Sequence, residues 1–569
     1  MFVKALPVGV DDFEKLVTRD YYFVDKTEFI KKLLEVKGDV NLFTRPRRFG
    51  KTLNLSMLQY FFEDTRDNEG RKIDHAGLFD GLDIMRAGNR ILSHMGQYPV
   101  IAMSLKAGKR PTFEGVYSQL IWQIRMEYDR HDYLLKGNMK KADRDIFNHI
   151  IDQTASQEVF CRSIQFLSRC LEQYHGKKAV ILIDEYDVPL ENAFRKGFYG
   201  QMVDFIRALF EAAFKTNSSL EFAVVTGCLR ITRESIFTGM NNLKVTSILD
   251  EGYDEYFGFT EEQVKKMCED FRLPHKYEVF QKWYNGYVFG STNVYNPWSV
   301  IQFMDHLQAN ENCHPRPYWA NTSSNSIVRE LIERADDSAR GEIENLISGG
   351  TIEKPVHEDI TYDEIYKSAD NLWNFLFFTG YFRKVNEQLK GGLGERWLTL
   401  QIPNLEVNYI FREKIMSWFQ EKIQTDNLTR LYKAFVDKDA AVVEEELNRI
   451  LLETISSFDE QESYYHGLVA GLLSPMKGYR TKSNREAGMG RSDLFVKPVS
   501  KRKEAFVVEF KVAKRLRDLD AKAAEALGQI EDRKYVAELE DEDYSVVSCY
   551  GIAFCGKECM VKVRGKTCS

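Results

Sequence analysis

Apolar and polar positions divide the chain into stretches of different character. In the first half, nearly continuous apolar and β-branched runs alternate with helix-length segments; the runs are Val40–Thr44, Tyr98–Leu105, Ala179–Ile183, Phe222–Thr226 and Val245–Leu249. A run without a polar face suits a strand covered on both sides, and the alternation with helices predicts an α/β domain with a mostly parallel sheet. From about Thr260 to Ile332 the pattern turns mostly helical and aromatic, with WYNGY at Trp283–Tyr287 and VYNPWSV at Val294–Val300. A polar stretch near Asp336–Arg340 and the pair Gly349–Gly350 predict a loop before a further mainly helical block. That block holds a hairpin with Gly391, Gly392 and Gly394 at its turn. The C-terminal stretch reads as a helix at Ser463–Leu473, a Gly- and Lys-rich connection, and strands at Asp493–Lys497 and Ala505–Val512. A helix over about Leu519–Leu539 follows, then strands near Tyr544–Phe554 and Met560–Val563. This αββαβ order predicts a second, independent α/β domain. The expected boundaries are 1–258, 259–335, 336–457 and 458–569.

Composition narrows the class. Of 569 residues, 44% are hydrophobic and 29% charged, which excludes a mostly disordered, collagen-like or coiled-coil chain. No apolar run approaches the roughly 18 residues of a membrane helix, and the start MFVKALPVGVDD lacks a signal-peptide core. A cytoplasmic protein with no membrane partner is expected, and nine scattered cysteines fit reduced thiols. The net charge of −7 conceals a basic island: Lys477 to Arg517 holds 13 Lys and Arg against four Asp and Glu. Such an island is either a nucleic-acid-binding face, which would meet DNA or RNA phosphates, or a solvated surface with a basic helix.

The segment Asn41–Thr52, NLFTRPRRFGKT, is an apolar strand, a short loop, and Gly50-Lys51-Thr52 opening a helix. That is the layout of a phosphate-binding loop: backbone N–H groups receive phosphate oxygens, Lys51 reaches the β/γ-phosphates and Thr52 can hold Mg²⁺. Arg45, Arg47, Arg48 and Phe49 complete the candidate ATP-binding segment, with Arg45 where the first Gly of the motif is usual. The run VILIDEYD at Val180–Asp187 ends a buried strand in acids. Asp184 would help hold Mg²⁺, and Glu185 would accept a proton from the attacking water. A further strand ends at Thr226, placed to sense the γ-phosphate or orient water, with Arg230 and Arg233 beyond it as candidate cations.

These motifs, with YYFVDKT (Tyr21–Thr27), TGCLR (Thr226–Arg230), SIFTGMNNL (Ser235–Leu243), WYNGY, VYNPWSV and YWANT (Tyr318–Thr322), resemble the AAA-ATPase-like family, whose members are mostly bacterial and uncharacterised. The resemblance covers roughly residues 5–330 and implies a P-loop fold with a helical lid. Arg45 follows that family's pattern.

Near the C-terminus, Asp493 in GRSDLF and Glu509 in AFVVEFK lie 16 residues apart on successive strand-like runs, with Lys511 two beyond Glu509. Strand period two puts Glu509 and Lys511 on one face, and hairpin pairing would bring Asp493 to it. Two carboxylates and an ammonium suit a Mg²⁺-dependent hydrolase, with Mn²⁺ as a substitute, whereas a salt-bridged strand would give the same spacing. The pattern resembles the PD-(D/E)xK nuclease superfamily, with Ser492-Asp493 in place of Pro-Asp. That resemblance implies Glu462 as a further metal-binding acid and gives Gln529 a place in the following helix. His466 either assists the metal or is a satisfied helix histidine. Cys549, Cys555, Cys559 and Cys568 match no common paired zinc signature.

The sequence therefore reads as an ATP-binding, ATP-hydrolysing P-loop module fused to a Mg²⁺-dependent nuclease-like module acting on DNA or RNA. The competing reading is a nucleotide-gated switch that binds nucleic acid without cutting it. A third is an inactive nuclease fold serving as a scaffold for a homo-oligomer.

Overall fold

The computed structural model describes residues 4–230, 236–237, 239–319, 342–343, 345–358, 362, 364–365, 368–390, 394–413, 428–454, 462–487, 490–501, 503–532, 535–542, 544 and 546–567; of residues 452–464 and 483–493 it describes at most the backbone. The chain divides into two compact units, residues 1–324 with 353–408, and residues 325–352 with 409–569.

The first unit is built on five strands: β1 (Val40–Thr44), β2 (Val100–Ser104), β3 (Ala179–Asp184), β4 (Leu220–Gly227) and β5 (Leu243–Thr246). Their order is β2-β3-β4-β1-β5 and every pairing is parallel. Every residue of β1 and β3 is buried, which explains why these strands read as unbroken apolar runs. Because β1 lies between β4 and β5, the loop after β1 opens beside the end of β4 and one strand away from that of β3, where a parallel sheet of this kind receives its ligand.

The region after Thr260 is less helical than its pattern predicts. Helices at Glu261–Asp270, Tyr277–Tyr284 and Pro297–Ala309 are joined by a small antiparallel sheet of β6 (Phe259–Thr260), β7 (Tyr287–Phe289) and β8 (Thr292–Tyr295), in the order β6-β8-β7. WYNGY enters this sheet. Gly286 has φ +98°, and a Cβ there would stand 2.1 Å from the Pro403 carbonyl oxygen, so the motif's glycine is fixed by a close approach of two backbones. The segment containing Pro403 also carries β9 (Ile352–Pro355) and the expected hairpin, β10 (Arg383–Lys390) and β11 (Glu395–Gln401).

The second unit carries β12 (Tyr479–Ala487), β13 (Gly490–Pro498), β14 (Ala505–Val512), β15 (Val546–Cys555) and β16 (Glu558–Thr567), in that spatial order. Only β14 and β15 run parallel. The stretch expected to be a Gly- and Lys-rich connection is largely the edge strand β12. Its alternating charges hid it, since an edge strand needs no continuous apolar face. The long helix expected at Leu519–Leu539 is described as two, Leu519–Asp532 and Tyr535–Asp541. The first lies on β15 so closely that a Cβ at Gly551 would meet the Ala523 carbonyl oxygen at 2.3 Å.

Candidate functional site

At the end of β1 the chain turns through Arg45–Gly50 into the helix Lys51–Phe62. Arg48 (φ +72°) and Gly50 (φ +81°) are both left-handed, and this shape turns the loop's backbone around the start of the helix. Lys51 is buried, and its ammonium donates to the carbonyls of Arg45 and Pro46, both at 2.8 Å, and lies 3.8 Å from Cys228 Sγ.

The acids from β3 stand directly alongside. Thr52 Oγ1 donates to Asp184 Oδ2 at 2.7 Å, and Thr226 Oγ1 donates to Asp184 Oδ1 at 2.5 Å. Burial raises the Asp184 carboxyl above its usual range, against the pull of these two hydroxyls. Glu185 is held at φ +51°, an uncommon conformation for a side chain of its kind and one that turns it away from the strand direction. Asp187, the third acid of the run, is buried and accepts from the backbone N–H groups of Cys228 (2.7 Å) and Leu229 (3.2 Å). Desolvation pushes its carboxyl up to about 6.

These elements enclose a cavity of about 310 Å³ lined by Arg47, Arg48, Phe49, Gly50, Lys51, Thr52 and Glu185. One part of the wall is apolar and aromatic, including Phe23, Val24, Met267, Trp298 and Ile301. An apolar wall and a cationic end suit a ligand with a planar base and a polyphosphate. Arg47 is ion-paired with Glu191, Arg48 lies 4.4 Å over the Trp298 ring, and Phe49 packs on Tyr287 and Phe289.

Four of the expected contacts lie outside this lining: Asp184 and Thr226 are buried and bonded to each other, reached from the cavity only through Thr52, and Arg45 and Arg230 point elsewhere. Arg45 is fully buried behind the loop, its guanidinium near the rings of Phe257 (5.0 Å) and Phe289 (5.2 Å), donating to the carbonyls of Thr44 (2.9 Å) and Thr246 (3.0 Å). Desolvation brings its pKa down to about 10. Where a glycine would leave space, the arginine fills the core under the loop and does not line the cavity. Arg230 faces Glu358 at 3.4 Å and is likewise outside the lining, and Arg233 lies outside the described residues.

Three lining lysines escaped the sequence reading. Lys26, within YYFVDKT, donates to the Glu255 carbonyl (2.5 Å) and to Gln263 Oε1 (2.7 Å), and burial lowers its pKa to about 7. Lys106 and Lys109 follow β2. The recurrence of basic residues in LKAGKR, immediately after a predicted strand, was the available signal.

In the second unit, Glu509 on β14 is buried, and Gln529 Nε2 donates to its Oε1. Lys511 Nζ lies 3.7 Å from the same oxygen, so period two does bring these two side chains together. Leu494 pairs with Val508 and Phe495 with Val507, so the backbone of Asp493 immediately precedes the described β13–β14 pairing. The side chains of Asp493 and Glu462 lie outside the described residues. His466 presents an edge-to-face contact to Phe510, centroids 5.6 Å apart. Among the described residues no group of three or more His, Cys, Asp or Glu could hold a metal ion. Cys549 and Cys559 are buried. Within the basic island Lys482 is exposed, while Lys497 is buried against Glu542 at 2.9 Å; the side chains of Arg485 and Arg491 are not described. Among the described residues no helix is long and apolar enough to cross a membrane.

The fold and its sites define a P-loop domain joined in sequence to a nuclease-like one. Residues 7–237 match the family model described as predicted AAA-ATPase, and residues 460–564 match that of the PD-(D/E)XK nuclease superfamily; the chain carries a domain of each. It is also 25% identical over 418 residues to an uncharacterised protein in the vnfD 5′ region of Azotobacter chroococcum mcd 1, covering 73% of this chain and 70% of that protein.

Proposed function

We propose that the first unit binds and hydrolyses ATP, and that the second is a metal-dependent nuclease domain whose action on DNA or RNA is gated or positioned by nucleotide state. The observation that carries this reading is the convergence of Thr52, Asp184 and Thr226 through two hydroxyl–carboxylate bonds, beside a cavity that Thr52, Lys51 and Glu185 line.

The chemistry asked of each group follows from its type. Lys51, released from the two loop carbonyls, supplies a compact cation to the β/γ-phosphates. Glu185 accepts the proton of the attacking water, and Thr226 fixes the orientation of Asp184. The Thr52 hydroxyl and the Asp184 carboxylate are hard oxygen donors that fit Mg²⁺, which would neutralise charge on the phosphate oxygens.

In the second unit Glu509 offers a buried carboxylate of the kind hard cations take, and Asp493, one strand over in sequence, is the natural second. Mg²⁺ or Mn²⁺ held there would lower the pKa of a bound water. Lys511 would orient the nucleophile or polarise the scissile phosphate, and Gln529 fixes the Glu509 carboxylate. The exposed basic residues around Lys482 would supply sequence-independent attraction for the phosphate backbone.

The test is incubation of the full chain with mixed DNA and RNA substrates, with and without ATP, in Mg²⁺ or Mn²⁺. Strand scission that changes with ATP supports the reading. Nucleotide and nucleic-acid binding with no scission or phosphate release in any metal would favour the switch.

A further inference from the structure

The cavity is lined by six basic side chains, Lys26, Arg47, Arg48, Lys51, Lys106 and Lys109, against the two carboxylates of Asp11 and Glu185. Four of the six are engaged within the wall: Lys26 on Glu255 and Gln263, Arg47 on Glu191, Arg48 on Trp298, Lys51 on its own loop. Lys106 and Lys109 differ. Both are exposed, and Lys106 approaches Asp11 only at 3.8 Å, with both side chains more than half exposed. So exposed a pair contributes little and yields readily to a stronger anion.

Their placement is set by the sheet. Ser104 is in register with Asp184, and Leu105 N–H donates to the Asp184 carbonyl at 2.9 Å, so Lys106 leaves β2 at the level of Glu185. The loop is then braced against the helix Val188–Lys196 that follows the acids. A Cβ on Gly108 would stand 2.8 Å from Pro189 Cβ, and Asn192 Nδ2 donates to the Arg110 carbonyl at 2.7 Å. The lysines therefore sit on a fixed support at the acid end of the cavity, far along the sheet from β1.

We propose that Lys106 and Lys109 form a second cationic jaw, supplied within the same chain, that takes the terminal phosphate of a nucleoside triphosphate and so distinguishes triphosphate from diphosphate. The inference rests on the nucleotide-binding reading of the P-loop. It also fills the role for which Arg230, turned to Glu358, is not placed.

The experiment measures the affinity of the full chain for ADP and for a β,γ-imido ATP analogue, in the parent, Lys51→Ala and the double variant Lys106→Gln/Lys109→Gln. Both lysines are surface residues, so the double variant should fold as the parent does. The expected result is a loss of about tenfold or more for the imido analogue, the scale of one or two charge-assisted hydrogen bonds, with ADP affinity within about twofold of the parent. The double variant Lys106→Arg/Lys109→Arg should restore the preference. Equal losses for both nucleotides, or no loss, would overturn the jaw while leaving P-loop binding intact. If the parent binds neither nucleotide, the P-loop reading itself fails and the jaw with it.

Discussion

Thr52 Oγ1 and Asp184 Oδ2 stand 2.7 Å apart, joining the first turn of the helix after β1 to the last residue of β3 across 132 positions of sequence. Thr226 holds the other oxygen of the same carboxylate. With both oxygens fixed, Asp184 has one orientation, behind the Thr52 and Glu185 that line the cavity.

Lys51→Ala is expected to weaken ATP binding strongly, because it removes the compact cation beside the phosphate loop. Glu185→Gln should retain binding and lose turnover, since an amide takes no proton from water. Calorimetric binding together with phosphate release checks both. ATP affinity unchanged in Lys51→Ala would sink the phosphate-loop assignment.

Arg45→Ala is expected to act on stability rather than on nucleotide contact. The guanidinium fills core volume between Phe257 and Phe289 and ties Thr44 to Thr246, so truncation leaves a hole and removes a donor from two carbonyls. The melting temperature should fall, while ATP affinity of the remaining folded protein, measured well below the transition, should stay within about threefold. A large affinity loss with an unchanged melting temperature would return Arg45 to the nucleotide.

Glu406 gives a pH dependence with a definite sign. It is fully buried, its oxygens lie 2.9 Å from Ser299 Oγ, and Oε1 accepts from Trp319 N–H at 2.9 Å. Burial raises its carboxyl from 4.5 to about 8. A raised folded-state pKa means that the unfolded chain releases the proton more readily. The contribution of Glu406 is therefore fully present below about 4.5 and is lost as pH rises through about 8. Melting temperatures of the parent should fall across that window from this group, and Glu406→Gln, which keeps an acceptor and cannot ionise, should flatten the fall. Identical profiles for the two proteins would count against a neutral buried carboxyl.

Asp493→Ala and Glu509→Ala are each expected to abolish cleavage and metal binding by the second unit. Lys511→Ala should abolish cleavage and leave metal binding largely intact, because the ammonium acts on water or phosphate and not on the ion. ATP turnover without nucleic acid should survive all three. Parent-like cleavage by Glu509→Ala would place the hydrolytic site elsewhere and leave the 3.7 Å contact with Lys511 as a structural ion pair.

Buried strands announce themselves, because a strand covered on both faces must be apolar throughout; this is why β1 and β3 were legible residue by residue. The turn Gly50-Lys51-Thr52 and the acids that close β3 were legible for a related reason: each is a short run of residue types at the end of a buried strand, readable without any distant part of the chain. The same local rule made Glu509 and Lys511 neighbours, since period two is a property of the strand alone. The edge strand β12 gave no such signal, as its polar residues satisfy a strand paired on one side only. What the tertiary structure decided were the choices that depend on distant chain. Arg45 looked like a phosphate ligand from its neighbours, but Phe257, Phe289 and Thr246 supplied a better place for it under the loop. Lys106 and Lys109 belong to the cavity because the parallel pairing of β2 with β3 brings the end of β2 level with Glu185. A sequence fixes residue types and short-range periodicity, whereas a direction in space for a long, charged side chain is settled by whatever packs around it.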